Sequence, residues 1–403
     1  MPAPRGIASL AELLWRRADA RPEQLVQTFA GLEGGLEGGL ERRSLAELAR
    51  RAAGLGAVLA DAAPPGARVV LALEPGLGFV DALFGCLAAG LVAVPVPSGA
   101  RALGQLRAVI ADAEPHLVVA SGELARRGET EGGGPRWITL DAPSNVEPAP
   151  RVERDPGDLA LLQYTSGSTG APRGVGLSHA NVLANLEVIR AAFELGPDSV
   201  GVSWLPHFHD MGLIGTILAP VFAGFVMHRM APEAFMARPA RWLEAIAEHR
   251  ATVSGGPDFG YALCARGVPP RVVEGLDLSS WRVAFVGAEP VRAATLAAFE
   301  ARFGPAGFDR RAWLPCYGLA ESTLFVSGVC VDEAPVVTRF DAAALAEGRV
   351  LEAGEGRPST ATALVGCGAP RSEPRVRVCS PAGAELGPGE IGELRIEGAS
   401  VSA

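Results

Sequence analysis

A chain of 403 residues with 36 basic and 45 acidic side chains carries a formal charge of -9, a balance that sets aside a polyanion-binding surface and nucleic acid with it, and favours a small-molecule partner. Such a length buries a large core and, at roughly 100 to 200 residues per domain, predicts two or three structural units. Every one of the 36 basic residues is arginine, so no chemical step can rest on a lysine.

The N-terminal stretch lacks the apolar run of a secretory signal, and Leu10, Leu13 and Leu14 are spaced for an amphipathic helix instead. The cysteines Cys86, Cys264, Cys316, Cys330, Cys367 and Cys379 form no CxxC pair. They read as buried free thiols in a reducing cytoplasm, not as a zinc site. The repeat "GLEGGLEGGLE" at 31–41 predicts a flexible loop between early strands.

From Ser44 onward the chain alternates. A helix ("SLAELARRAAGLGAVLADA") is followed by a strand ("RVVLAL"), a helix ("GFVDALFGCLAAG"), a strand ("VAVPV"), a helix ("ALGQLRAVIADA") and a strand ("HLVVAS"). A Gly- and Pro-rich loop over 128–158 closes this half, and the same rhythm resumes with "LALLQYT", "HANVLANLEVIRAAF", "VGVSWLP", "PARWLEAIAEHR", "ATVSGGP" and "WRVAFVG". The alternation predicts an α/β fold of two related, mainly parallel sheets flanked by helices, over 1–160 and 161–332. Short runs such as "RVRVCSP" and "GELRIEG" predict a small antiparallel β-barrel or sheet within a third unit, 333–403. The uncharged stretches 82–100 and 211–227 approach the ~20 residues of a membrane span. Pro95, Pro97 and Pro220 with Gly90 and Gly224 break each into a buried helix, a turn and a buried strand, so no transmembrane span is expected.

The chemistry concentrates in "YTSGSTGAPRGV" at 164–175. Placed after a strand and before a helix, its glycines let backbone N–H groups approach a phosphate, and Thr165, Ser166, Ser168 and Thr169 add hydroxyl donors. The G-x-x-x-x-G-K-[ST] pattern of a Walker loop is absent.

This segment resembles the phosphate loop of the acyl-adenylate-forming ligases, the superfamily of acyl-CoA synthetases, luciferases and peptide-synthetase adenylation domains. Four further blocks agree in order: "WLPHFHDMGLIG" at 204–215, "FVGAEPVR" at 285–292, "YGLAES" at 317–322 and "GELRIEG" at 392–398. Within the superfamily, "HFHDMGLIG", "GGPDFGYALC" and "GAEPVR" look most like fatty acyl-AMP ligases, and 333–364 falls where those enzymes carry an insertion. The resemblance implies ATP-dependent activation of a fatty acid to an acyl-adenylate with loss of pyrophosphate. The acyl group would pass to an acyl carrier protein in lipid, polyketide or lipopeptide synthesis. A fatty acyl-CoA synthetase and a non-catalytic acyl- or nucleotide-binding remnant are the alternatives. The superfamily's later segment, a mobile C-terminal domain with a lysine and an aspartate that grips the ribose, has no counterpart here, so reduced adenylation is expected of these 403 residues alone.

By the same resemblance Thr165, Ser166, Gly167, Ser168, Thr169 and Gly170 cradle the β- and γ-phosphates. Arg173 stands where the family commonly has lysine, and its guanidinium can hold phosphate oxygens in a fork. Glu321 would be the Mg²⁺ ligand. Tyr317 would pack on the adenine opposite Gly287, Ala288 and Glu289, with Gly318, Leu319, Ala320 and Ser322 near the α-phosphate. His209 would sit between acyl carboxylate and adenylate; Asp210 reads as orienting His209 or the following helix, and His207 reads as structural. The apolar run that follows predicts an acyl tunnel lined by Met211, Gly212, Ile214 and Gly215.

Overall fold

The computed structural model describes residues 6–31, 40–99, 102–130, 134–139, 151–166, 172–353, 361–371 and 373–402. The predicted first helix forms over Leu10–Ala20, where the Ser9 hydroxyl accepts from the Glu12 amide, and its apolar stripe is buried. In the early half the strands are β1 (Leu25–Ala30), β2 (Glu41–Ser44), β3 (Arg68–Ala72), β4 (Val92–Pro95), β5 (Leu117–Ala120) and β6 (Arg136–Thr139). The hairpin β7 (Leu159–Ser166) and β8 (Pro172–Ser178) follows, then β9 (Val200–Ser203), β10 (Val226–Met230), β11 (Val253–Gly256), β12 (Val283–Val286), β13 (Trp313–Gly318) and β14 (Phe325–Gly328).

These strands make two sheets, an eight-stranded one in the order β14-β13-β12-β11-β9-β10-β1-β2 and a six-stranded one in the order β6-β5-β3-β4-β7-β8. Pairing is parallel except at β1–β2, β7–β8 and β13–β14. The helix Leu77–Ala88 touches strands of both sheets, as does the helix His179–Ala192, so both lie between the two sheets. Burial on two sides explains the composition of Leu77–Ala88, in which every residue but Gly78 is buried. One continuous apolar core spans the layers, and Trp242, Tyr261, Trp281, Phe299 and Trp313 form an aromatic cluster within it. The chain then adds two small antiparallel pairs, β15 (Val337–Asp341) with β16 (Ala361–Val365), and β17 (Arg375–Cys379) with β18 (Glu393–Glu397).

The α/β architecture with two mainly parallel sheets is the expected one, and four details differ. The division at residue 160 follows neither sheet: β1 and β2 cross to β10 of the larger sheet, while β7 and β8 complete the smaller one beside β4. The expected loop 128–158 contains β6, which pairs in parallel with β5. The segment 164–175 joins strand to strand, with β7 and β8 paired as a hairpin, and the next helix begins only at His179, after β8. Of the cysteines only Cys86, Cys264 and Cys379 are buried; the other three are half-buried, all six are free, and the described residues hold no group of three metal-ligating side chains.

Both uncharged stretches resolve as expected into helix, turn and strand. Residues 211–227 pass through Asp210–Leu213, a π-helical turn at Ile214–Leu218 and the helix Ala219–Ala223, end at Gly224 with φ 77°, and enter β10. Among the described residues no helix is long and apolar enough to cross a membrane. The repeat at 31–41 bridges β1 and β2, and its residues 32–39 lie outside the described residues.

Candidate active site

The site is assembled at the C-terminal ends of β9, β12 and β13, where open α/β sheets place their ligands. Alternation along β7 puts Leu162 and Tyr164 against the outer core of the smaller sheet, which leaves Gln163 and Thr165 on the face toward the larger sheet. The Gln163 amide donates to the Phe208 carbonyl at 2.7 Å, so the hairpin is tied to the loop carrying His209. Arg173 pairs with Thr165 across the hairpin and is exposed, and cross-strand partners share a face. Thr165 and Arg173 are thus brought to the His209 side. Gly167, Ser168, Thr169 and Gly170 lie outside the described residues, as does the Ser166 side chain.

His209 precedes the short helix Asp210–Leu213, and its side chain is 66% exposed. Its Nδ1 lies 3.2 Å from Asp210 Oδ1, and that hydrogen bond holds the imidazole above its ordinary pKa, against a smaller opposing effect of burial. The Asp210 carboxylate also accepts from the Met211 amide at 2.6 Å. His207 differs in every respect. Its ring is buried against Phe79, its Nε2 lies 3.0 Å from the Leu73 carbonyl, and burial with the nearby Arg229 depresses its pKa to about 3. It stands as a neutral structural residue, as expected.

The other wall is the β13–β14 hairpin. Its tip turns so tightly that a side chain at Gly318 would collide with the Leu324 carbonyl, and Thr323 adopts φ 68° with its hydroxyl donating to the Ser400 carbonyl at 2.7 Å. Tyr317 is 37% exposed. Glu321 is exposed on the single turn Ala320–Ser322, and its own carbonyl accepts from the Ser402 amide at 2.8 Å. Opposite, Ala288 is held at φ 65°, a costly conformation for a residue with a side chain. The Glu289 carboxylate accepts from the Phe259 amide at 2.7 Å, in the first turn of the helix Asp258–Gly267.

Two cavities meet at these residues. The first, of about 170 Å³, has His209, Asp210, Met211, Gly215, Ala288, Tyr317 and Gly318 at one end and Ile189, Phe193, Leu195, Phe225, Met227, Val253, Phe285, Cys316, Leu324 and Phe325 along its length. The second shares His209, Met211 and Ala288 and adds Trp204, Leu205, Pro206, Gly212, Pro257, Phe259 and Glu289. His209, Met211, Gly212, Gly215, Ala288, Glu289, Tyr317 and Gly318 therefore converge. Ile214 does not: it is fully buried in the core and lines neither cavity. Gly287 and Leu319 line neither cavity, and the side chains of Ala320 and Ser322 are buried behind the hairpin tip. Glu321, Thr165 and Arg173 stand outside both linings. The cavity's apolar walls were missed, since the sequence marks Phe193, Phe225, Val253 and Phe285 only as buried.

The fold and this geometry define a class, an α/β protein with a strand hairpin carrying Thr165 and Arg173, a histidine, a tyrosine and an apolar cavity at the carboxyl edge of a mainly parallel sheet. The chain belongs to the AMP-binding enzyme family, whose pattern it matches over residues 14–403. It is 44% identical over 259 residues to the medium-chain-fatty-acid–[acyl-carrier-protein] ligase TtuA of Teredinibacter turnerae, covering 64% of this chain and 40% of that protein. It is 34% identical over 407 residues to the long-chain-fatty-acid–AMP ligase FadD32 of Mycolicibacterium smegmatis, covering 97% of this chain and 64% of that one. The crystal structure of a fatty acyl-adenylate ligase from Legionella pneumophila in complex with acyl adenylate and pyrophosphate superposes with a TM-score of 0.92 at 33% identity, covering 100% of this chain and 71% of that one. The chain thus spans less than two thirds of the length of each of these two curated relatives.

Proposed function

We propose that this chain binds ATP and a fatty acid and joins them as an acyl-adenylate with release of pyrophosphate, the acyl group then passing to an acyl carrier protein. The carrying observation is the cavity that has His209 and Tyr317 at its mouth and only apolar side chains along its depth. A carboxylate held at the mouth projects its tail into those walls, and each methylene removed from water contributes ~0.8 kcal/mol. The similarity to ligases of fatty acids and carrier proteins supports the same substrate classes.

The reacting bond is between a carboxylate oxygen and the α-phosphorus of ATP, and the pyrophosphate oxygens take the charge that leaves. Such a transfer needs positioned donors and cations more than covalent help. Thr165 and Arg173 supply a hydroxyl and a permanent cation on the hairpin face toward the loop of His209. His209, whose pKa the hydrogen bond to Asp210 raises, donates to the carboxylate and then to the adenylate oxygen. Tyr317 and the backbone at Ala288 hold the adenine between them. Glu321 offers one exposed hard oxygen with no second and third protein ligand among the described residues, which suits Mg²⁺ taking its remaining ligands from phosphate and water. The ion would supply charge neutralisation on the phosphates.

Pyrophosphate release with ATP and dodecanoic acid tests the reading. It is expected for the unaltered chain, with Arg173→Ala slower by roughly 10² to 10³, the loss typical of one preorganised donor. Adding coenzyme A or a holo acyl carrier protein then separates the acceptors: faster turnover with the carrier alone fits the proposal, and acyl-CoA formed at a comparable rate contradicts its second half. No pyrophosphate from any acid, in a chain that still binds ATP, contradicts the first.

A further inference from the structure

The closed end of the apolar cavity is shaped by a missing side chain. Gly201 of β9 pairs with Met227 of β10 on one side and Val253 of β11 on the other. A Cβ built on Gly201 would stand 2.6 Å from the Met227 sulfur and 3.2 Å from the Phe225 ring. Glycine inside a strand marks such a close approach, and here it lets Met227 and Phe225 fold flat across β9. With Val253 and the residues that end the helix His179–Ala192, they floor the cavity at the N-terminal ends of the strands.

The depth follows from the register. Val253 pairs with Val283, the next residue Ala284 pairs with Trp313 at the start of β13, and Tyr317 at the mouth lies four residues further along that strand, five strand steps from the floor. At ~3.3 Å per residue of parallel strand the cavity is about 16 Å deep. Extended hydrocarbon advances about 1.3 Å per carbon at ordinary bond lengths, so that depth holds about twelve carbons.

We infer that Met227, seated over Gly201, is the chain-length gauge of this site, and that the site is cut for straight medium-chain acids of about ten to twelve carbons. The inference rests on the fatty-acid-activating reading above. Met227 is unbranched and flexible, so each of two substitutions has a defined sign. Met227→Ala removes three atoms beyond Cβ and deepens the floor. Gly201→Ala puts a methyl group where the Met227 side chain lies, and the flexible thioether is displaced into the cavity.

Titration calorimetry with straight-chain acids from hexanoic to octadecanoic, on the unaltered chain and both variants, reads the gauge directly, with a thermal melt to show that each variant is folded. The unaltered chain is expected to bind best at about ten to twelve carbons, rising about four-fold per methylene up to that length at ~0.8 kcal/mol each. Met227→Ala moves the optimum two or three carbons longer, and Gly201→Ala about two shorter. If Gly201→Ala fails to fold, Met227→Ala decides alone. Acids that bind with the same optimum in both variants overturn the gauge and leave the fatty-acid reading standing. Failure of every acid to bind the unaltered chain overturns that reading and the gauge with it.

Discussion

His209 and His207 stand two residues apart in one loop and have opposite chemistry. Burial against Phe79 keeps His207 neutral, whereas exposure and the Asp210 carboxylate let His209 keep its proton to higher pH than a free imidazole. If imidazolium is the form that grips the carboxylate, kcat/KM falls as pH rises through the raised pKa of His209. Asp210→Asn retains the acceptor for the Met211 amide but removes the charge, so the falling limb moves to lower pH. A pH profile that does not move in that variant would detach Asp210 from His209 function. The pair was readable from the letters "HFHD" because a flanking motif gave the position. The roles of Phe193, Val253 and Phe285 were not readable, because a buried apolar side chain that lines a void has the same periodicity as one that fills the core.

Secondary-structure elements were legible where the alternation was clean and lost where turn residues masked it. The strand β8, "PRGVGLS", contains a proline and two glycines, and β6 is only four residues long between glycine- and proline-rich flanks. Each reads locally as loop, and each becomes a strand because a neighbour supplies the ladder. Because β8 follows directly, Arg173 sits on a strand and not in the first turn of a helix. The hairpin's placement depends on Gln163, whose amide donates to the Phe208 carbonyl while its own oxygen is buried without a partner among the described residues. Gln163→Ala strands that carbonyl and should lower stability by about 1 to 3 kcal/mol in urea unfolding. Its larger effect is expected on pyrophosphate release, through a raised KM for ATP. A variant less stable but unchanged in KM would show that the contact only stiffens the fold.

At the scale of the whole molecule, the sequence carries the α/β class but not the exchange of strands between sheets, since nothing local records which sheet β1, β2, β7 and β8 will join. Packing also shields histidines from water, burying His179 and His207 and half-burying His228 and His249, which stack on each other. His207 is depressed to about 3, His179 and His228 to about 4, and His249 is lowered as well, each chiefly by burial. A histidine whose folded pKa lies below its unfolded value near 6.5 takes up its proton first in the unfolded chain, so stability falls as pH drops below about 6.5 and continues to fall toward about 4. Urea midpoints measured from pH 7 to pH 4 should decline across that window, and a flat response would mean that these imidazoles are not buried as described.

The central claim is that hairpin, histidine, tyrosine and apolar cavity form one continuous site. A crystal structure with a non-hydrolysable sulfamate analogue of dodecanoyl-adenylate tests it most directly. The expected result places the adenine between Tyr317 and Ala288, the sulfamate beside His209 and the Thr165–Arg173 hairpin, and the chain end against Met227. Alkyl density outside the cavity, or a nucleotide remote from Tyr317, would contradict it.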